Sequence, residues 1–106
     1  MIIVRTVFQG SYGKGGELAA AQAAAAKEIV AAMGGDHRWT VMSDLSGPFD
    51  TVAMEVEVAS LAEWEGLRAR LFASPGFREA TASSLGVARA LTVSGRTEYW
   101  TVEGQG

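Results

Sequence analysis

The chain carries one histidine and no cysteine, so few side chains can move a proton near neutral pH. His37 is the one residue whose ordinary pKa lies close to neutrality. It could act as a general base that draws a proton from a ketone or a phenol. Its place directly after Gly34-Gly35-Asp36 equally suits a surface histidine ahead of a strand, and that plainer reading is preferred. A metal there would find only Asp36 as a local second ligand. Arg5 falls in an opening strand pattern, and Glu55 and Glu57 fall in a later one. If the two strands are neighbours, Arg5 faces Glu55 or Glu57. Such a cluster could bind a carboxylate or polarise a carbonyl, and partial burial would raise a glutamate toward acid–base work. The plainer alternative is a cross-strand ion pair worth ~0.2–1 kcal/mol. Asp44 shares the same predicted face and the same two readings. The catalytic candidates are therefore His37, Arg5, Asp44 and Glu55.

Other motifs carry less. Gly10 to Gly16 holds four glycines and Lys14. It lacks the Gly-Lys-Ser/Thr ending of a phosphate loop and the spacing of a dinucleotide fingerprint, and reads as a flexible loop over a cavity mouth. The serines, Ser43, Ser60 and Ser94 among them, have no His-Asp context for a hydrolase triad. Trp39, Trp64, Phe72, Tyr99 and Trp100 could stack on a flat ligand, but each more simply anchors a core or an interface. Tyr99 and Trp100 are adjacent, so one of them must leave the core.

Composition narrows the class further. The chain has 106 residues, a net charge of −3, 48% hydrophobic and 20% charged residues. That is one soluble domain, 1–106, neither disordered nor collagen-like. Nine basic residues against twelve acidic ones, scattered along the chain, argue against nucleic acid. The longest uncharged apolar stretch, a run of alanines, is too weakly hydrophobic for a bilayer. No signal-peptide pattern is present, which leads to an expected cytoplasmic location. Without cysteine, thiolate chemistry and the usual zinc clusters are excluded. No cofactor and no metal is predicted.

The elements that must position these residues follow from periodicity. Residues 2–9 alternate as a strand, with Ile2, Val4, Thr6 and Phe8 opposite Ile3, Arg5, Val7 and Gln9. Glu17 to Met33 is an alanine-rich helix with a stripe at Leu18, Ala21, Ala25, Ile29 and Met33, stopped at Gly34. Residues 37–45 and 51–58 form two strands around a Gly-Pro turn, hence an antiparallel hairpin. Ser60 to Glu63 is a capping box in which Ser60 accepts from the N3 amide and Glu63 reaches back to the Ser60 amide. The helix it opens runs to about Phe72. Ser74-Pro75 starts a short helix ending at Gly86, with Phe77 and Ala80 or Thr81 inward. Residues 89–102 make the last strand, and Ser94-Gly95 suggests a bulge that lets Leu91 and Val93 share a face with Trp100 and Val102.

The order βαββαβ predicts an α+β, ferredoxin-like antiparallel sheet with the first and third strands central and helices on one face. The opposite face would carry Ile3, Arg5, Val7, Met42, Asp44, Ala53, Glu55 and Glu57. It is too apolar for water and too charged for a core, which suits face-to-face homodimerisation around a ligand cavity. The segments IIVRTVF, YGKGGEL, SLAEWEGLRARLFASPGF and VSGRTEYWTVE resemble the dimeric α/β-barrel superfamily, near its antibiotic biosynthesis monooxygenase and NIPSNAP-like families. The resemblance covers nearly the whole chain and contains no catalytic signature. It implies a homodimer and a small-molecule function of the cofactor-independent monooxygenase type, acting on flat apolar, aromatic or polyketide-like substrates. The alternative it leaves is a non-catalytic, stress-associated or ligand-binding homodimer. Haem-degrading members use an Asn on the first strand and a helical His. This chain has no Asn, and His37 precedes a strand, which disfavours that activity. An effector-binding module is disfavoured because no DNA-binding segment accompanies it.

Overall fold

The computed structural model describes residues 1–106, the side chain of Ala80 excepted. The elements are β1 (Ile2–Gly10), α1 (Gly15–Ala32), β2 (Trp39–Ser43), β3 (Thr51–Val58), α2 (Leu61–Ala73), α3 (Pro75–Leu91) and β4 (Thr92–Thr101). The strands form one antiparallel sheet in the order β2-β3-β1-β4. The first and third strands are central, as the element order predicts. This is the α+β, ferredoxin-like fold, with its second helix divided in two.

The helices cover one sheet face because one side of β1, β2 and β3 is apolar, whereas β4 stays mostly exposed. Val4, Val56 and Val58 bury themselves with Val30, Met33 and Leu71, and Ile2, Trp39, Trp64 and Phe77 pack against that group. A second group joins Leu18, Ala21, Val52 and Ala88, with Phe8, Val41 and Leu91 beside it. Each fully buried Val or Leu contributes about 1.5–3 kcal/mol over an exposed one. The alanines of α1 keep that helix close to the sheet, and Ala25 and Ala26 are fully buried. Its end is a Schellman motif: the Gly35 amide donates to Val30 O at 2.9 Å and the Gly34 amide to Ala31 O at 3.2 Å. Gly34 lies at φ 107°, the left-handed conformation that this motif requires.

Several boundaries differ from the sequence pattern. The helix after Ser74 does not stop at Gly86 but runs to Leu91. Burial of Ala88 and Leu91 against Leu18 and Val52 outweighs the roughly 1 kcal/mol cost of an internal glycine. Arg89 to Leu91 are therefore helical, and Leu91 packs under the sheet instead of joining Trp100 in β4. The register shift in β4 lies beside Val93, between the pairs Gln9–Ser94 and Gly10–Thr92, not at Ser94-Gly95. Phe77 packs into the core and Thr81 is buried, while the Ala80 side chain lies outside the described residues. The second strand is shorter than the alternation suggests, so His37 and Asp44 stand just beyond its two ends. Ser60 does cap α2, accepting from the Glu63 amide at 3.1 Å. The Glu63 carboxylate, however, reaches the Ala59 amide at 3.2 Å, one residue before the amide expected.

Candidate functional site

The register places the open sheet face in cross-strand rows. Arg5 pairs with Glu55 on one side and Glu98 on the other; Val7 pairs with Ala53 and Arg96; Gln9 pairs with Thr51 and Ser94. On β2, Thr40 lies beside Glu55 and Met42 beside Ala53. These rows line a shallow depression of about 540 Å³. Val7 and Ala53 make its floor, Met42 one side, Arg5 and Arg96 one end and flank, and Asp44, Thr51 and Gln9 the other end.

The two ends differ in how their polar groups are used. Gln9 donates to Phe49 O, and its Oε1 accepts from Thr51 Oγ1 at 3.3 Å. Asp44 Oδ1 accepts from the Thr51 amide at 3.0 Å, which ties the β2–β3 turn. At the other end, Arg5 Nη1 stands 3.7 Å from Glu55 Oε2 and its Nε stands 3.8 Å from Glu98 Oε1. Both distances are ion pairs and too long for hydrogen bonds. Among the described residues, Arg5 Nε is buried without a hydrogen-bond partner.

Glu98 is the residue that joins this face together. Its Oε2 accepts from Arg96 Nε at 2.8 Å and its Oε1 accepts from Trp100 Nε1 at 3.1 Å. The hydrogen bond from Arg96, then that from Trp100, holds its carboxyl below the usual carboxylate value. Glu98 is absent from the sequence-based candidates, although the signal exists. It alternates with Trp100, and a central first strand must offer Arg5 to both neighbours. Both aromatics of the pair lie outside the core, Trp100 on the open face with 54% exposure and Tyr99 on the other with 51%, because β4 is an edge strand.

His37 is not part of this arrangement. It lines a separate cleft with Asp36, Arg38 and Glu57, and its Nε2 lies 3.1 Å from Glu63 Oε1. Glu63 thereby ties the chain before β2 to the start of α2. The hydrogen bond from the Ala59 amide, then the one from His37, lowers the Glu63 pKa from the ordinary 4.5. A carboxylate depressed in the folded state stabilises the fold above its unfolded pKa, and that contribution disappears as pH falls through the folded value. A Glu63→Gln variant is therefore expected to be less stable than the wild type at pH 7. The gap should close as pH drops well below 4.5, measured by urea denaturation at both ends. An undiminished gap in acid would contradict the assignment.

The Gly10–Gly16 loop does not line this depression but a neighbouring one with Phe49 and Asp50, and it is held, not loose. Asp50 Oδ2 accepts from the Gly13 amide at 2.8 Å, Oδ1 accepts from the Gly15 amide at 2.9 Å, and its backbone oxygen accepts from the Gly10 amide at 2.8 Å. Lys14, at the N-cap of α1, makes no side-chain cap bond. Asp50 supplies that cap from 35 residues away, and α1 starts at Gly15 for this reason. A Cβ on Gly15 would meet Asp50 Oδ1 at 2.8 Å and one on Gly10 would meet Asp50 O at 2.9 Å, so the approach itself requires glycine at both positions. Tyr12 and Phe49, 86% and 71% exposed, meet edge to face at 6.3 Å over this clamp.

Among the described residues, no group of three or more His, Asp or Glu is arranged to hold a metal ion, and no helix is long and apolar enough to cross a membrane. A sheet of this order has one face under helices and one open. No protein-family model matches the chain, and no curated protein matches it in sequence. Solved structures do match. A NIPSNAP domain protein from Burkholderia xenovorans superposes with TM-score 0.76 at 15% identity, over 96% of this chain and 94% of that one. A NIPSNAP family protein of unknown function from Agrobacterium tumefaciens gives 0.74 at 19%, over 94% and 86%. SnoaB, a cofactor-independent oxygenase from Streptomyces nogalater, gives 0.65 at 18%, over 98% and 94%. The structural neighbours are thus NIPSNAP and antibiotic biosynthesis monooxygenase-like proteins, the two groups that the sequence segments resemble. At these identities the likeness shows the fold.

Proposed function

We propose that the protein works as a homodimer in which two open sheet faces enclose a cavity for a flat, mostly apolar small molecule, aromatic or polyketide-like. The depression on the open face carries this reading. Its volume of about 540 Å³ falls within the range of small-molecule sites, and an apolar floor with a few polar groups at the rim is their usual lining. The likeness to SnoaB, described as a cofactor-independent oxygenase, suggests the chemistry. An enolate or phenolate formed in the cavity would react directly with dioxygen. The Arg5 guanidinium would stabilise the oxyanion, and Glu55, 3.7 Å from Arg5, would take the proton. Asp44 would hold the turn at the far rim. His37, in its separate cleft, would act on the fold and not on the substrate.

A second reading, a ligand-binding dimer without catalysis, has its own support. Glu98 is held as a carboxylate by Arg96 and Trp100, which suits orienting guanidiniums better than delivering protons. Oxygen uptake separates the two readings. With 1-naphthol and a chelator present, the oxygenase reading predicts one dioxygen consumed per naphthoquinone and water formed, and loss of that uptake in Arg5→Gln. Binding of the naphthol with no uptake above buffer would sink the oxygenase reading and leave the binding one.

A further inference from the structure

We infer that Arg5 and Arg96 make the depression selective for flat apolar molecules that bear an acidic oxygen, a carboxylate or a phenolate. This rests on the reading of the depression as a ligand site and names the ligand's chemistry. Polar capacity is used up at one end of the depression and left over at the other. At the Gln9 end, the Gln9 amide and the Asp44 Oδ1 are already engaged by Phe49 O and by Thr51. At the guanidinium end, Arg5 Nε is buried and has no hydrogen-bond partner among the described residues. Its two carboxylate neighbours stop at 3.7 and 3.8 Å.

Both arginines line the depression, whereas Glu55 and Glu98 flank Arg5 in its own row at the edge. Glu98 uses Oε2 on Arg96 Nε and Oε1 on Trp100, so it fills one donor of Arg96 and none of Arg5. A guanidinium offers five N–H groups in a planar fork that matches a carboxylate. When a second sheet covers this face, water can no longer satisfy those donors, and leaving them unmet is costly. A ligand oxyanion standing over Val7 and Ala53 would meet the outer N–H groups of these two partly exposed guanidiniums, while its ring lay on the apolar floor.

The test is isothermal titration of 2-naphthoate and of the neutral 2-naphthalenemethanol, which share one ring system, at pH 7.5. The wild type is expected to bind the naphthoate about tenfold or more tighter. Arg5→Gln and Arg96→Gln should each remove most of that preference and leave the alcohol affinity unchanged. Arg5→Lys, which keeps the charge without the fork, should restore part of it. If Arg5→Gln fails to fold, Arg96→Gln on the edge strand carries the test. Equal binding of the two ligands by the wild type, or a preference that survives Arg96→Gln, overturns the selectivity. Binding of neither ligand overturns the site reading on which it rests, and the selectivity with it.

Discussion

Replacing Asp50 with alanine is expected to lower the free energy of unfolding by about 2–4 kcal/mol. The carboxylate satisfies the Gly13 and Gly15 amides at 2.8 and 2.9 Å. Charge-assisted bonds of this kind are worth about 1.5–3 kcal/mol each, and a lost helix cap costs about 0.5–2 kcal/mol. The two contributions overlap, because the Gly15 bond is the cap. Asp50 also sits at φ 61°, a region that Asp tolerates better than Ala does. Asp50→Gly separates the terms: it relieves the backbone and still loses the carboxylate. Thermal and urea unfolding of both variants should place Asp50→Gly below the wild type and above Asp50→Ala. A glycine variant as stable as the wild type would mean that the clamp contributes no more than the backbone relief offsets.

Ala53→Arg is expected to abolish the proposed dimer while leaving the protomer folded. Ala53 is 6% exposed and lies at the centre of the depression floor beside Val7. In a two-fold interface every residue appears twice, so the new guanidiniums would face each other, and Arg5 and Arg96 as well, across a closed cavity. Like charges brought together in this way cost several kcal/mol, a weakening on the order of a hundredfold or more. In a monomer the same side chain leaves the open face between Val7 and Met42, away from the helix-covered core, and reaches water. Sedimentation velocity should give a monomer for the variant with unchanged circular dichroism. A variant that remains a dimer would place the interface somewhere other than this face.

How far the sequence could be read depended on whether a feature was local. Alternation in residues 2–9 and 51–58 gave both central strands, because a two-residue period with one buried face leaves little freedom of register. The alanine helix and its glycine stop were equally legible, as was the Ser60 cap. The end of α3 was not, since Gly86 is a stop only when packing does not override it, and the packing of Ala88 against Leu18 joins residues distant in sequence. The site divided in the same way. Arg5 beside Glu55 follows from adjacent central strands. Glu98 needed the pairing of the first and last strands, which requires the whole topology. Asp50 left no local trace, since its partners are amides of glycines 35 and 37 residues earlier. His37 had the right chemistry but the wrong neighbourhood for the open face, because β2 begins only at Trp39.

The central claim is that two copies of this chain close their open sheet faces over one ligand cavity. Native mass spectrometry of the purified protein, sprayed with and without 2-naphthoate, tests it in one experiment. The account predicts a species of twice the chain mass that gains the mass of bound naphthoate, and that does not assemble in Ala53→Arg. A protein that stays monomeric at every concentration, or a dimer that takes up no flat apolar ligand, would contradict it.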